Sequence, residues 1–382
     1  MKNIIVCCDG TDNQFSGDHT NVIRAFKIAE GLPNQACYYD PGVGTLPLTG
    51  WVTKLGEWWS ITEGLAFGAG LIADVQEAYG YLMKVYDPGD QIFLFGFSRG
   101  AFTVRALAGM LNAVGLLFPD SDQLVPYATN YWKQCKRADS TGAAVCAEFK
   151  ATLARPCPVH FIGVWDTVSS VGFTNILFHN KSFPFTYRNP SVTHVRHAVS
   201  IDERRCFFRQ NLMGRDYPEQ DVKNVWFSGV HSDVGGGYPP DQSALSKLTF
   251  EWMMVEARNC GFKIDMGESP DSYAKELAHG QSPDPCGMQH ESLQGAWWLA
   301  EVIPTGHFSV ADEKYHWRMN LGSPRNIAIG RALPGLLIHE SVLNRMDMVP
   351  GYRPRNLPDS SAGVRSLYQI EPRVPMASAA HE

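Results

Sequence analysis

A serine flanked by two glycines, at a point where a buried strand gives way to a helix, constrains the fold of this chain more than any other feature. The pentapeptide GFSRG places Ser98 between these glycines. Residues 92–97 are almost continuously apolar, which is typical of a strand buried on both faces, and from residue 101 the apolar positions recur at helical spacing. The pattern predicts a tight strand–turn–helix that exposes the Ser98 hydroxyl at the carboxyl end of a strand.

The environment expected at this turn favours nucleophilic chemistry. The amino end of the following helix carries a positive partial charge, and the backbone N–H of Arg99 points to where an oxyanion would form. Gly10 and Thr11, in the loop after the first predicted strand, are the candidates for a second oxyanion donor. A phosphatase motif, Asp-x-Asp-Gly-Thr, is a competing interpretation of that loop, but its nucleophile position holds Cys7. A surface turn without chemistry is the alternative for GFSRG.

An acid and a base follow the serine, each just after a predicted strand. Asp166 comes after the strand predicted at residues 158–164, and His231 comes after the strand predicted at residues 222–230. The chain order Ser98, Asp166, His231 is that of nucleophile, acid and base in α/β-hydrolases. The glycines after His231 would let the backbone turn back toward the sheet. These three residues are the predicted catalytic set.

Other side chains could fill two of these roles. Asp233 is close enough to His231 to act as the acid or to brace its loop, and His339 is the alternative base. An aspartate at a strand end often stabilises a turn, which is the structural alternative for Asp166. The charged stretch at residues 202–209 matches no motif and receives no chemical role.

Composition excludes several classes of protein. Hydrophobic residues at 44% and charged residues at 19% describe a well-buried globular protein, and the net charge of −6 offers no electrostatic footprint for nucleic acid. Nine cysteines without paired C-x-x-C spacing predict reduced thiols and no zinc site, and the predicted chemistry needs no metal or cofactor. The sequence shows neither a cleavable signal nor an apolar run of about 18 residues, so we expect synthesis in the cytoplasm.

Alternating strands and helices predict an α/β fold, in an α/β-hydrolase-like arrangement with a mostly parallel sheet, flanking helices, cap insertions and an irregular C-terminal extension. The strand at residues 222–230 is the last core strand that the pattern supports. The predicted organisation is a core at residues 1–260 with cap insertions at about 41–67 and 169–190, followed by an extension at residues 261–382 that packs on the core and ends in a partly irregular tail.

Both predicted caps are rich in aromatic side chains. Trp58, Phe173 and Phe178 lie in them and are the candidate substrate-binding residues. Exposed apolar surface is typical of an interaction site, so the caps would line an acyl-chain groove or touch a membrane surface. Burial of these rings in the core is the alternative interpretation.

Six segments together resemble a bacterial and fungal family of α/β-hydrolase-like proteins that includes phospholipase effectors of type VI secretion systems. In chain order they are CCDGTDN, YYDPGVGT, GFSRGAFTVRALAG, FIGVWDTVSSVG, VWFSGVHSDVGGGY and, more weakly, HESVLNR. They extend from Cys7 to about Arg345, nearly the whole chain, which makes the combination more specific than any single motif. Secreted relatives often carry a large additional anchoring or delivery domain, whereas this chain is compact.

The resemblance implies a serine hydrolase whose triad corresponds to Ser98, Asp166 and His231. It further implies a lipid or other acyl-ester substrate, peripheral contact with a membrane, an immunity protein or secretion apparatus as partner, and delivery to the periplasm or membrane of a target cell. We therefore expect a serine carboxylic-ester hydrolase of the phospholipase A type that works through an acyl-enzyme. An esterase for a soluble small ester and a catalytically silent binding module of the same fold are the alternatives.

Overall fold

The computed structural model describes residues 1–10, 19–42, 63–135, 140–168, 183–214, 217–267, 269–295, 297–309, 314–327, 336–357 and 368–376. Most of the two predicted caps lies outside these residues, including Trp58, Phe173 and Phe178. Thr11 lies outside them as well.

The described residues contain one large sheet and two small ones. The strands are β1 (Asn3–Cys8), β2 (Gln35–Asp40), β3 (Gln91–Phe97), β4 (Leu116–Leu117), β5 (Ala154–Arg155), β6 (Val159–Trp165), β7 (Val192–Ser200), β8 (Asp221–Phe227), β9 (Thr305–Ser309), β10 (Lys314–Arg318), β11 (Leu337–His339) and β12 (Gln369–Glu371). Eight of them form the large sheet, in the order β2, β1, β3, β6, β7, β8, β11, β12, and each neighbouring pair in it is parallel. The pairs β4–β5 and β9–β10 are short and antiparallel.

Helices connect the parallel strands and cover both faces of the sheet. They are α1 (Asn21–Lys27), α2 (Glu63–Val85), α3 (Ser98–Val114), α4 (Val125–Gln134), α5 (Ser140–Leu153), α6 (His231–Gly235), α7 (Ala244–Asn259), α8 (Tyr273–Ala278), α9 (Trp297–Glu301) and α10 (Glu340–Met348), with 3₁₀ turns at Asp122–Leu124 and Pro240–Gln242. No helix among the residues described above is both long and apolar enough to cross a lipid bilayer.

Strand β1 shows how the sequence produces two buried faces. Successive side chains of a strand point to opposite faces, so Ile4 and Val6 face one way while Ile5 and Cys7 face the other. Ile4 and Val6 pack in a core with α2, α3, α4 and α5, and Ile5 and Cys7 pack in a second core with α1 and α7. All six residues of β1 are buried. A strand buried on both faces is typical of a parallel sheet covered by helices, which confirms the predicted fold class.

The order of the strands reverses beside β3. The chain runs from β1 to its neighbour β2 on one side, then crosses to β3 on the other side and continues outward through β6, β7 and β8. Open α/β sheets bind ligands outside the carboxyl ends of the strands at such a reversal. Ser98, the first residue after β3, lies at this point.

Two features of the fold differ from the sequence-based expectation. The prediction that residues 222–230 form the last core strand is wrong, because β11 and β12 extend the sheet beyond β8. His231 does not lie in a loop that follows the strand directly; it begins the short helix α6, and three residues separate it from the end of β8.

Candidate active site

Ser98 occupies a strained turn held by close backbone packing. Its φ is 56°, in the left-handed region that residues other than glycine rarely adopt. A Cβ atom on Gly100 would lie 2.0 Å from the carbonyl oxygen of Cys8, and one on Gly96 would lie 2.6 Å from the carbonyl oxygen of Gly100. The two glycines of GFSRG are therefore required because α3 touches the ends of β1 and β3. This packing presents Ser98, half-buried, at the carboxyl edge of the sheet.

Asp166 and His231 form a buried hydrogen-bonded pair at the same edge. Asp166 directly follows β6 and has a φ of 42°, and its Oδ2 atom lies 2.6 Å from His231 Nδ1. Left-handed conformations at residues other than glycine cost about 1–3 kcal/mol and cluster at functional sites. The bond assigns Nδ1 of His231 as the donor toward the carboxylate, which leaves Nε2 as a proton acceptor.

The backbone between β8 and α6 carries the imidazole toward the elbow. Gly229 has a φ of 105°, and its N–H donates to Asp202 Oδ2 at 2.7 Å. The His231 ring then lies against Phe97, with ring centroids 4.6 Å apart, and against Phe208 at 4.9 Å. Because Phe97 directly precedes Ser98 in the chain, the imidazole lies beside the elbow.

Among the described residues, Ser98 Oγ forms no hydrogen bond with His231. The His231 ring packs instead on the ring of Phe97, the residue that precedes Ser98. Catalytic hydrogen bonds are often long before substrate binds, so this geometry is compatible with a nucleophile–base pair. The structure thus brings the three predicted residues to one edge of the sheet, with the acid–base bond formed.

Arg325 completes the surroundings of Asp166. Its Nη1 and Nη2 atoms lie 2.5 Å and 2.9 Å from the two carboxylate oxygens. Ser200 donates to the same carboxylate from its backbone N–H at 2.9 Å and from its hydroxyl at 3.0 Å. Burial alone would raise the pKa of Asp166, but the Arg325 guanidinium and the bond from His231 hold it well below its usual value. Asp166 is therefore an ionised carboxylate with every oxygen engaged.

Glu203 braces the backbone of His231 from a neighbouring loop. Its carboxylate accepts hydrogen bonds from the N–H of His231 at 3.1 Å, from the Arg205 side chain at 3.0 Å and from the Ser292 hydroxyl at 2.9 Å. Burial would raise the pKa of Glu203, but mainly Arg205 lowers it to about 2. Burial lowers the pKa of His231, and the bond to Asp166 offsets this only in part.

Sequence reasoning missed both Arg325 and Glu203. Arg325 stands in the segment GSPRN, which has no recognisable motif, and Glu203 belongs to the charged stretch that matched none. Arg325 lies 159 residues along the chain from its partner Asp166, whereas Arg205, a partner of Glu203, is only two residues away from it. The one available signal was the presence of acidic and basic residues together in residues 202–205, directly after the apolar end of β7.

The two alternative site residues are engaged elsewhere. Asp233 Oδ1 lies 2.6 Å from His290 Nδ1, and its Oδ2 accepts the N–H of Val230 at 3.0 Å. His339 is buried at the end of β11, where its Nδ1 pairs with the Ser341 hydroxyl at 2.8 Å. Four strand spacings separate β11 from β3, about 19 Å at the usual 4.8 Å per strand. The geometry favours Asp166 over Asp233 and His231 over His339.

The structure describes two of the three predicted oxyanion donors. Arg99 lies in the first turn of α3, where backbone N–H groups point out of the helix end. The N–H of Gly10 donates to Asp9 Oδ1 at 2.7 Å. Asp9 is itself held by Thr20 Oγ1 at 2.5 Å and by the Tyr39 hydroxyl at 3.0 Å. Gly10 could therefore contribute only after its bond to Asp9 opens.

The described residues contain no group of three or more His, Cys, Asp or Glu side chains arranged to hold a metal ion.

Comparisons with known proteins identify the family to which this chain is similar. Residues 2–256 match the family model described as the type VI secretion system phospholipase effector Tle1-like catalytic domain. The chain is also 25% identical to the uncharacterized Saccharomyces cerevisiae protein YEL023C, in an alignment that covers 96% of this chain and 82% of that protein.

Two solved structures are more distant neighbours. One is an uncharacterized protein from Pseudomonas aeruginosa, with 20% identity and a TM-score of 0.40 over 69% of this chain. The other is the Tle1 effector bound to the VgrG spike of the type 6 secretion system, with 19% identity and a TM-score of 0.34 over 64% of this chain. The match covers about half the length of each, 46% and 52%. Since the family model matches most of the chain, the protein belongs to the Tle1-like family of type VI secretion phospholipase effectors.

Proposed function

We propose that this chain is a phospholipase A that cleaves carboxylic esters of phospholipids through a Ser98–Asp166–His231 triad. The observation that carries the proposal is the 2.6 Å bond between Asp166 and His231, placed against Phe97 at the serine elbow. The match to a phospholipase effector catalytic domain supports the substrate class. An elbow alone would favour only a serine hydrolase of unspecified substrate.

The proposed reaction has two halves. His231 Nε2 removes the proton of Ser98 as Oγ attacks the ester carbonyl, and the N–H of Arg99 stabilises the oxyanion that forms. His231 then returns the proton to the leaving lysophospholipid alcohol, which leaves a fatty acyl group on Ser98. Water attacks this acyl-enzyme with His231 again as base, and a free fatty acid is released. Asp166 holds the imidazole in the required tautomer and stabilises its charged form.

The proposed biological setting follows from the family. The Tle1 effector in the solved complex is bound to a VgrG spike, and we propose that this chain is likewise delivered by a secretion apparatus to a target-cell membrane or periplasm. A neutralising immunity protein in the producing cell would be a corresponding partner. Peripheral membrane contact would bring the carboxyl edge of the sheet to the lipid.

Hydrolysis of vesicles tests the proposal. Wild-type protein should release fatty acid from phospholipid vesicles, with the cleaved acyl position read by mass spectrometry of the lysophospholipid. Ser98→Ala should reduce turnover by about 10⁴-fold or more, because the nucleophile is lost while binding remains. Ser191→Ala, which precedes β7 at the opposite edge of the sheet, is the matched control and should keep full activity.

Three outcomes would redirect the assignment. Undiminished activity of Ser98→Ala would remove this serine from the reaction. Equal activity on monomeric nitrophenyl esters and on vesicles would identify an esterase for soluble substrates. Absence of both hydrolysis and labelling of Ser98 by a fluorophosphonate would identify a catalytically silent binding module.

A further inference from the structure

We propose that Arg325 is a positioning residue of the active site, which orients Asp166 toward His231 and balances its charge so that the imidazole stays neutral and able to accept a proton. The inference rests on the proposed function, because it gives Asp166 and His231 their roles. Arg325 lies beyond the residues 2–256 that match the catalytic-domain model, so the proposal extends the site into the C-terminal part of the chain.

Arg325 and Asp166 form a buried, bidentate ion pair. Arg325 is 1% exposed and Asp166 is 0% exposed, and two nitrogens of the guanidinium meet the two oxygens of the carboxylate. The other donations of the guanidinium go to the carbonyl oxygens of Ser200 and Phe208 and to the Ser200 hydroxyl. Two hydrogen bonds from one guanidinium fix the plane of the Asp166 carboxylate. They thereby fix the position of the oxygen that accepts the hydrogen bond from His231 Nδ1.

Arg325 also contacts the residue whose ring packs on the His231 imidazole. Phe208, whose carbonyl oxygen accepts from Arg325, packs its ring against the His231 ring at 4.9 Å. The Arg205 guanidinium carbon lies over the Phe208 ring, 3.5 Å from its centroid. Arg325 therefore fixes both the carboxylate that bonds the imidazole and the ring that packs on it.

The charges around the imidazole balance only when Arg325 is counted. Asp166 and Glu203 contribute two negative charges, and Arg205 and Arg325 contribute two positive charges. On the same helix as His231, Asp233 is paired with His290. A buried Asp166 without its arginine would stabilise the imidazolium strongly, since charges interact more strongly away from water. With the arginine present, Asp166, Glu203, Arg205 and Arg325 together carry no net charge. The lowered pKa of His231 has burial as its main cause.

A purely structural role for Arg325 is the competing interpretation, because it also ties residues 320–327 to the sheet. The two roles predict different pH profiles. If Arg325 only stabilises the fold, its loss lowers the amount of active protein without moving the acid limb of kcat/KM. If it balances Asp166, its loss raises the pKa of His231 and moves the acid limb to higher pH.

The experiment compares Arg325→Gln, Arg325→Lys and a control on the full chain. Arg325→Gln should move the acid limb of kcat/KM for vesicle hydrolysis upward by about one pH unit or more, because one nearby positive charge is lost. Arg325→Lys should leave the acid limb of kcat/KM at its wild-type pH, because the positive charge remains. It should lower kcat by about 10-fold, because a lysine cannot form the bidentate pair with Asp166. Arg345→Gln is the control, as Arg345 is a buried arginine that donates to the carbonyl oxygens of Pro285 and Gly287. It should lower thermal stability without moving the limb.

A second readout separates failure of this inference from failure of the proposed function. Histidine ¹⁵N chemical shifts, assigned with His231→Gln, follow the titration of His231 without any turnover. An upward shift of the His231 midpoint in Arg325→Gln supports the inference even if the protein hydrolyses no lipid. An unchanged midpoint in a folded Arg325→Gln variant overturns it. If Arg325→Gln does not fold, full kcat in Arg325→Lys overturns it instead.

Discussion

Gly100 marks the closest approach between the catalytic helix and the first strand. The carbonyl oxygens of Cys8 and Asp9 occupy the space that a side chain at position 100 would need, at 2.0 Å and 2.5 Å from a Cβ atom. Both obstacles are backbone atoms, one in the last residue of β1 and one in the residue that follows it, so neither moves as easily as a flexible side chain would. The elbow at Ser98 therefore depends on this glycine for its position relative to β1.

Replacing Gly100 by alanine should damage both stability and activity. We expect Gly100→Ala to lower the free energy of unfolding by about 3 kcal/mol, because the added methyl group overpacks a rigid site. Turnover should fall by more than the folded fraction does, since Ser98 is displaced. Urea unfolding monitored by circular dichroism, together with vesicle hydrolysis, measures both effects.

Gly80 supplies a matched control in another helix. A Cβ atom there meets nothing within 4 Å, and Gly80 lies in the interior of α2. Gly80→Ala should stabilise the protein by about 0.5–1 kcal/mol through the helix preference of alanine, with unchanged turnover. Equal and small effects of the two substitutions would contradict the packing argument.

The site residues differ in how far the sequence could reveal them. Ser98, Asp166 and His231 were predictable because each follows an apolar strand and because parallel strands bring their carboxyl ends to one edge of a sheet. Their roles remain a proposal. Arg325 and Glu203 belong to no recognisable motif. For Arg325 the reason is that an ion pair between distant residues leaves no periodic trace in either segment. The aromatic candidates Trp58, Phe173 and Phe178 lie outside the described residues.

At the scale of elements, apolar runs revealed the strands beside the elbow but not every strand of the sheet. β7 mixes its apolar residues with His194, Arg196 and His197, which obscures its strand character. These polar side chains are accommodated by partners, such as Glu256 and Asp221 for Arg196. β11 and β12 are only three residues long, too short for any periodicity to be read.

Strand β11 should contribute to stability through its middle residue. Ile338 is 0% exposed and packs in a third core cluster with Val199, Trp226 and Val342. We expect Ile338→Ala to lower the free energy of unfolding by about 2–5 kcal/mol, because it leaves a cavity where a buried side chain was. Equilibrium unfolding in urea measures the change.

Ile370 is the natural control for this prediction. It is paired with Ile338 in the β11–β12 register but is 52% exposed. Ile370→Ala should change stability by no more than about 0.5 kcal/mol. A loss of stability as large as that of Ile338→Ala would contradict the exposed position of Ile370.

Across the whole molecule, buried carboxylates make opposing contributions to the pH dependence of stability. Burial would raise the pKa of Glu203 and Glu276, but their partners lower each to about 2. Their contribution is therefore present above about pH 4 and is lost as the pH falls toward 2. Asp202 is the opposite case: burial raises its pKa to about 6, although Gly229 and Tyr352 donate to it.

Asp202→Asn should therefore stabilise the protein in a pH-dependent way. Since the folded pKa lies above the unfolded value, the charged carboxylate destabilises the fold above about pH 6, and this cost disappears as the pH falls below about 4. An asparagine oxygen can still accept both hydrogen bonds. We expect a gain of about 1–3 kcal/mol at pH 7.5 and none at pH 4, measured by urea unfolding.

Asp122→Asn is the comparison for this measurement, because the Asp122 side chain is 62% exposed. It should change stability little at either pH. A gain for Asp202→Asn that is the same at pH 7.5 and pH 4 would exclude charge burial as its cause.

The separation of 159 positions between Asp166 and Arg325 also sets the order in which they are synthesised. Ribosomes add roughly 5–20 residues per second, so the carboxylate is synthesised roughly 10–30 s before its guanidinium partner. A nascent chain already holds the nucleophile and the histidine while this charge is still missing. On the proposed mechanism, the catalytic centre therefore stays incomplete until Arg325 has been added to the chain.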